Sequence, residues 1–408
     1  MRTLSFLLIV VALAGCARTG ALSPLPEAAS GLDAAQPLAN SGYRALYSFG
    51  KNYPDGALPA SKLLYFQGRF YGTTSGGGDA SGNCRCGAVY SITPSGDEKM
   101  VYAFQGRPDG FVPMGDLAML NGSLFGTTMY GGKGGVHKCF GDQSGCGIVY
   151  KIDPSGREST LYAFSGGADG ANPAGGLLVS NRKLYGTTTG GTVGHGTVFT
   201  MGLSGTQHVL YNFKGIPSDG SYPVGTLVDF NGNFYGVTEL GGAYNVGTVF
   251  QVKHDGTERV VHSFSSSEGE YPIGLVALHG VLYGTTEAAG LHKRGTVFAI
   301  TPGGDFHVVY AFKGFPQSDG AYPAARPIAV NGVLFGTTGG GGAHGEGTIY
   351  RLTTSGDERV LHSCRPRPSG VGPGAALSYF DGVLYGTTVE GGADGSKLGE
   401  GTVFRIRP

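Results

Sequence analysis

The sequence predicts an all-β protein: a seven-bladed β-propeller of four-stranded antiparallel blades, closed when the N-terminal strand completes the last blade. Three observations predict it. Gly-Thr-Thr begins at Gly72, Gly126, Gly186, Gly284, Gly336 and Gly386, with Gly236-Val237-Thr238 as a seventh, variant copy. A second mark, Gly-Thr-Val-Phe and its relatives, begins at Gly87, Gly147, Gly196, Gly247, Gly295, Gly347 and Gly401. The ends of the repeat region also complement each other. It opens on a lone fourth strand, Arg44 to Phe49, and ends on a lone third strand, Gly401 to Ile406. Four strands in roughly 50 residues, repeated, are a propeller pattern. Pairing the two ends closes the ring and removes both open edges.

The elements of one unit follow from local chemistry. In the fifth copy, Ile273 to Leu278 is a short apolar first strand. His279-Gly280 is a tight turn; other copies use Asn121-Gly122, Asn231-Gly232, Asn331-Gly332 or Asp381-Gly382. Asn-Gly and Asp-Gly suit two-residue type I′ hairpins, because both turn residues need positive φ. Val281 to Thr286 is the second strand, followed by a Gly-rich loop. Gly295 to Thr301 is the third, alternating Val297 and Ala299 against Phe298 and Ile300. Pro302-Gly303-Gly304-Asp305 turns the chain into a fourth strand, Phe306 to Phe312. The fourth strands carry a third mark, Tyr-x-Phe, at Tyr47/Phe49, Tyr102/Phe104, Tyr162/Phe164, Tyr211/Phe213 and Tyr310/Phe312. His262/Phe264 and His362/Cys364 are its variants.

Composition bounds the function. The 408 residues hold 29 Lys+Arg and 29 Asp+Glu, a net charge of +0, so there is no cationic footprint for nucleic acid. Glycine is 77 of 408, yet 44 Tyr and Phe and the strict repeat argue against a disordered chain. At the N-terminus, Arg2 precedes an apolar run, Leu4 to Leu13, too short to span a bilayer and right for a secretory segment. Leu13-Ala14-Gly15-Cys16 resembles a bacterial lipoprotein lipobox, with Cys16 as the lipid-bearing residue. Residues 1–15 then read as a signal peptide, 16–42 as lipidated cysteine and tether, and 43–408 as one propeller domain. Ala17 after the cysteine is compatible with the outer membrane. The expected product is an exported monomer, attached to the membrane by its lipid only.

Gly-Thr-Thr followed by Gly-Gly, then Gly-Thr-Val-Phe, Thr-Pro-Ser-Gly and Leu-Tyr-x-Phe resembles the Gloeo/Verruco "choice-of-anchor" tandem-repeat family over residues 43 to 408. The strand order is also similar to kelch blades. The resemblance implies an extracytoplasmic repeat protein and no defined activity, so no functional residue transfers. Copy six departs at Arg326-Pro327 and copy seven at Cys364, and local irregularity is expected there.

Candidate site residues fall on the face where the lead-in to each blade and the loop between its second and third strands emerge. The lead-in turns contain Asp55, Asp109, Asp169, Asp219 and Asp319, each followed by glycine. A ring of carboxylates could hold a divalent cation or a polyhydroxylated ligand, but Asp-Gly is also ordinary turn chemistry. The Gly-rich loops add His137, His195, Glu239, Glu287, His292, His344, Glu346 and Glu390, which differ from blade to blade as binding residues on a rigid scaffold do. Singly, each is also an ordinary solvated loop residue. No His-Glu-x-x-His or Gly-x-Ser-x-Gly is present, and neither cofactor nor metal is expected. In an exported protein Cys139 and Cys146 are expected to form a disulfide. Cys84 and Cys86 pair with each other or across to the neighbouring loop, with a zinc site the alternative. Cys364 reads as a buried free thiol. Three functions are compatible with this inventory. The first is non-catalytic binding of an envelope glycan or protein through the loop face. The second is a carbohydrate lyase or hydrolase with its site at the mouth of the central channel. The third is a scaffold within an envelope complex.

Overall fold

The computed structural model describes residues 42–50, 55–78, 84–132, 139, 145–191, 194–366, 369–392 and 399–408. Cys16, the signal segment, most of the tether and His137 lie outside the described residues. Every regular element among the described residues is a strand, and seven antiparallel blades form the propeller. Blades one to six span Gly56–Ala103, Gly110–Ala163, Leu178–Asn212, Gly220–Ser263, Glu270–Ala311 and Gly320–Ser363. Blade seven is Ser378–Ile406 plus the N-terminal strand Arg44–Ser48, which lies antiparallel to Thr402–Ile406. The complementary ends therefore close the ring.

The three sequence marks are the joints of this ring. The glycine of Gly-Thr-Thr lies under the aromatic ring of its own third strand. A Cβ on Gly72 would meet Tyr90 Oη at 2.7 Å, and one on Gly386 would meet Phe404 Cζ at 2.6 Å; Phe250 and Phe298 sit likewise on Gly236 and Gly284. The second threonine bonds across to the third strand: Thr238 Oγ1 to Thr248 Oγ1 at 2.7 Å, Thr388 Oγ1 to Thr402 Oγ1 at 2.8 Å. In three blades the first threonine reaches the next blade, as Thr127 Oγ1 donates to Gly175 O at 3.0 Å, Thr285 Oγ1 to Ala325 O at 3.0 Å and Thr337 Oγ1 to Ala375 O at 3.2 Å. The glycine that opens each third strand has positive φ and faces the lead-in proline of the next blade. Gly87 abuts Pro113, and Gly401 abuts Pro59 across the closure.

The third strands alternate as expected, in blade five with Phe298 and Ile300 packed toward blade four and Val297 and Ala299 toward blade six, and all of Thr296–Ile300 is buried because neighbouring blades cover both faces of the sheet. Their apolar runs therefore read like strands buried on both sides. One expectation is corrected: the first strand of blade five is longer than expected, Glu270–Leu278, since its lead-in pairs with the second strand. The irregularity expected of copy six is present. Its first strand breaks into Gly320–Pro323 and Ile328–Val330 around Arg326-Pro327, although blade one breaks similarly into Gly56–Pro59 and Leu64–Phe66. The hairpin turns have the expected form, with φ of 52° and 73° at Asn231-Gly232 and 48° and 85° at His279-Gly280. Cys139–Cys146 and Cys84–Cys86 are the disulfides, and Cys364 is buried and free.

Candidate binding site on the loop face of blades four to six

The lead-in aspartates lie on the expected face, and their oxygens serve the joints between blades. Asp219 Oδ2 accepts from Tyr211 Oη at 2.8 Å and Lys214 N at 2.7 Å, while Oδ1 accepts from Gly220 N at 2.6 Å. Asp319 repeats this with Tyr310, Lys313 and Gly320, and Asp109 with Tyr102, Gln105 and Gly110. Asp169 bonds Tyr162 and Ser165, and Asp55 bonds Tyr47 and Gly50. Each carboxylate thus ties the fourth-strand tyrosine of one blade to the start of the next.

The residue two places after the lead-in glycine is locked in the left-handed region. This holds for Leu58, Val112, Asn172, Tyr222, Tyr271 and Tyr322, with φ between 55° and 59°. Bulky side chains rarely adopt it, at a cost of order 1–3 kcal/mol each. The fold enforces it with an inter-blade bond: Tyr222 N donates to His195 O at 2.9 Å, Tyr271 N to Val246 O at 3.1 Å, Tyr322 N to Arg294 O at 2.8 Å. In blades four to six this position is always tyrosine; elsewhere it is Leu58, Val112, Asn172 or, in blade seven, Gly372.

Opposite these tyrosines lies the residue that follows the second-strand threonine. The register sets Glu239 across from Tyr222, between the pairs Ser221↔Leu240 and Pro223↔Thr238. Glu287 faces Tyr271 in the same way, between Glu270↔Ala288 and Pro272↔Thr286. The other blades carry Ser75, Met129, Thr189, Gly339 and Val389 at this position, so the two acids are confined to adjacent blades. Glu239 is 7% exposed and Glu287 half-buried. Burial, reinforced by the negative charge of Glu287, pushes the Glu239 carboxyl up to about 8, and burial raises Glu287 as well. Near neutral pH Glu239 therefore holds a proton and can donate as well as accept. Around this pair the same face exposes Ile216, Tyr244, Leu291, Phe315 and Tyr322, five of the eight large hydrophobics exposed among the described residues. Arg294 donates to Tyr322 Oη, and its guanidinium stands 5.3 Å from the ring centroid.

The remaining candidates are dispersed. His195 Nδ1 lies 2.8 Å from Ser221 Oγ, a pair in which Ser221 is only 4% exposed. His344 and His292 are exposed, while Glu346 and Glu390 are half-buried in blades six and seven. Among the described residues no group of three His, Cys, Asp or Glu side chains is placed to hold a metal.

Sequence reading missed a charged cluster on the propeller axis. Asp116 of blade two accepts from Lys62 N at 2.9 Å, from Arg326 Nη2 at 3.2 Å and from Thr226 Oγ1 at 3.3 Å. Blades two, four and six are not neighbours, so these contacts span the centre of the ring. Aligning the copies on the lead-in proline would have found them. The third residue after it is Lys62, Asp116, Gly176, Thr226, Arg326 and Ala376 in six blades, and charge appears in three.

Residues 136–328 match the Gloeobacter/Verrucomicrobia repeat. No curated protein matches the chain. Among solved structures, a puromycin hydrolase variant is 12% identical with a TM-score of 0.50, covering 82% of this chain and 50% of that one. A gluconolactonase from Xanthomonas campestris is 14% identical (TM-score 0.40, covering 64% and 79%). The N-terminal domain of Nup159 is 12% identical (TM-score 0.38, covering 73% and 74%). At these identities the likeness is one of fold.

Proposed function

We propose that this propeller is a non-catalytic binding module of the bacterial cell envelope, tethered through lipidated Cys16. It takes a polyhydroxylated ligand, a glycan, on the loop face of blades four to six. The observation that carries the reading is the confinement of Glu239, Glu287 and the tyrosines 222, 271 and 322 to consecutive blades of an otherwise repetitive ring. Carboxyls exchange hydrogen bonds with sugar hydroxyls, and tyrosines offer flat apolar area with a polar tip. Few polar groups set among aromatic side chains are the usual make-up of a small-molecule site. Repeated residues build the ring; residues that break the repeat are free to bind.

A thermal-shift scan of the purified protein against neutral envelope-type oligosaccharides tests it. A ligand of the folded state raises the midpoint by mass action, with about 2.7 kcal/mol available at a hundredfold excess over Kd. The expected result is a saturable rise that the double variant Glu239→Ala/Glu287→Ala loses, and that weakens as pH passes about 8, where Glu239 gives up its proton. A flat scan across the panel would reject the glycan and leave a protein partner or a scaffold. The enzyme alternative would draw on His195 and Ser221; covalent labelling of Ser221 by a fluorophosphonate would favour it, and no labelling is expected.

A further inference from the structure

We propose that the propeller axis is an oxyanion site, in which Lys62 and Arg326 bind a carboxylate or phosphate group. The site is separate from the acid–tyrosine surface of blades four to six and does not depend on it. Three observations carry the assignment. First, the position is built from non-equivalent blades. Lys62, Asp116 and Arg326 occupy one repeat position, three residues after the lead-in proline, where blades three and seven carry Gly176 and Ala376. The fold therefore needs no charge there. Second, the charges do not balance. The Asp116 carboxylate is fully engaged, Oδ1 by the Lys62 backbone N–H, Oδ2 by Arg326 at 3.2 Å and by Thr226. It neutralises one cation, Arg326, in an ion pair with side chains 19% and 22% exposed. The Lys62 ammonium forms no ion pair with any described carboxylate, so the axis holds one surplus positive charge. Third, all three groups are half-buried, so a bound anion would be partly desolvated, where charge-assisted hydrogen bonds are strong.

The titration behaviour agrees with the geometry. Burial and then the charge of Arg326 lower the Lys62 ammonium, with Asp116 opposing them. For Asp116, burial acts upward, and Arg326 together with the Lys62 N–H and ammonium outweigh it, holding the carboxyl below its ordinary range. Asp116 thus stays ionised and fixes Arg326, which leaves further guanidinium N–H groups to face a ligand. Asp116 is a positioning residue, Lys62 the direct contact. A planar carboxylate suits the fork of Arg326 and the point charge of Lys62 together, and a phosphate oxygen pair does the same.

The test is a thermal-shift titration of the purified protein with inorganic phosphate and, separately, with glucuronate, each against sodium chloride at matched ionic strength. The expected result is a saturable rise of the midpoint with at least one of the two. Phosphate alone identifies a phosphate site, glucuronate alone a uronate site, and both a general oxyanion site. Lys62→Met is expected to weaken the response by about tenfold or more, while its unliganded midpoint stays near that of the wild type, because no structural bond involves the Lys62 side chain. Competition by phosphate for acylation of Lys62, read by mass spectrometry, gives a second measure independent of stability. No rise beyond the chloride control with either anion, or an undiminished rise in Lys62→Met, would overturn the assignment. Glu239→Ala/Glu287→Ala is expected to keep the anion response and lose only the neutral-glycan response, so the two readings fail separately.

Discussion

Gly236 shows what the repeated residues are for. Its place under the Phe250 ring leaves no room for a methyl group, since a Cβ there would also meet Leu227 Cδ2 at 2.9 Å. Gly236→Ala is therefore expected to destabilise by about 1–3 kcal/mol through overpacking. Gly303→Ala, where a Cβ meets nothing nearer than Thr301 Oγ1 at 3.5 Å, is expected to be close to neutral. Paired denaturant melts check both. At this scale the sequence was legible for structure. Asp109, Asp169, Asp219 and Asp319 drew notice because they recur, and they recur because each closes a joint between blades. Lys62 and Asp116 passed unnoticed because each looks ordinary in its own copy, and Arg326 drew notice only as an irregularity of copy six. Only the closed ring places residues 110 and 210 positions apart in contact.

Between elements, the joints show covariation within one chain. Where the fourth-strand mark is tyrosine and the lead-in is aspartate, the next fourth strand starts with glutamate in four cases: Glu98, Glu158, Glu258 and Glu358. Burial and then the lead-in aspartate push each of these carboxyls up to about 7. Where histidine replaces the tyrosine, the third member is aromatic instead: Phe306 stacks on His262 at 4.0 Å and Tyr43 on His362 at 3.9 Å. A histidine held neutral by burial suits an apolar ring, and a protonated glutamate suits a tyrosine–aspartate pair.

A pH dependence follows from these raised carboxyls. Between about pH 4.5 and 7 the folded glutamates hold protons that the unfolded chain has released, so stability falls as pH rises through that range. His262 and His362 act in the opposite sense, because their folded pKa values are lowered, His362 to about 4, and they withdraw stability below about pH 6.5. The window free of the histidines is therefore from about pH 6.5 to 8, where stability is expected to rise as pH falls. Glu258→Gln is expected to flatten that slope. Chemical denaturation at several pH values reads it, and an unchanged slope in the variant would refute the assignment.

For the whole molecule, the ring is closed by residues 42–50 at the start of the repeat region. Arg44–Ser48 pairs with Thr402–Ile406, and Phe49 is fully buried against Phe70 and Tyr90 of blade one. Removing residues 42–50 is expected to cost at least ~3 kcal/mol from Phe49 alone and to expose the Thr402–Ile406 amides to rapid hydrogen exchange. Closure was readable because two incomplete ends predict each other. The proposed binding surface was only half readable: Glu239 and Glu287 stood out as departures from the repeat, whereas the tyrosines looked like ordinary β-strand residues until the left-handed backbone set them on the loop face.

The most direct test of where function resides is a hydrogen-exchange footprint of the protein with and without a saturating oligosaccharide identified by the thermal scan. Protection is expected at Gly220–Tyr222, Thr238–Gly241, Glu270–Tyr271 and Thr286–Ala288, together with Tyr322. Protection at the opposite hairpin turns, such as Asn231-Gly232 and His279-Gly280, or spread evenly over all seven blades, would contradict a site built from the residues that break the repeat.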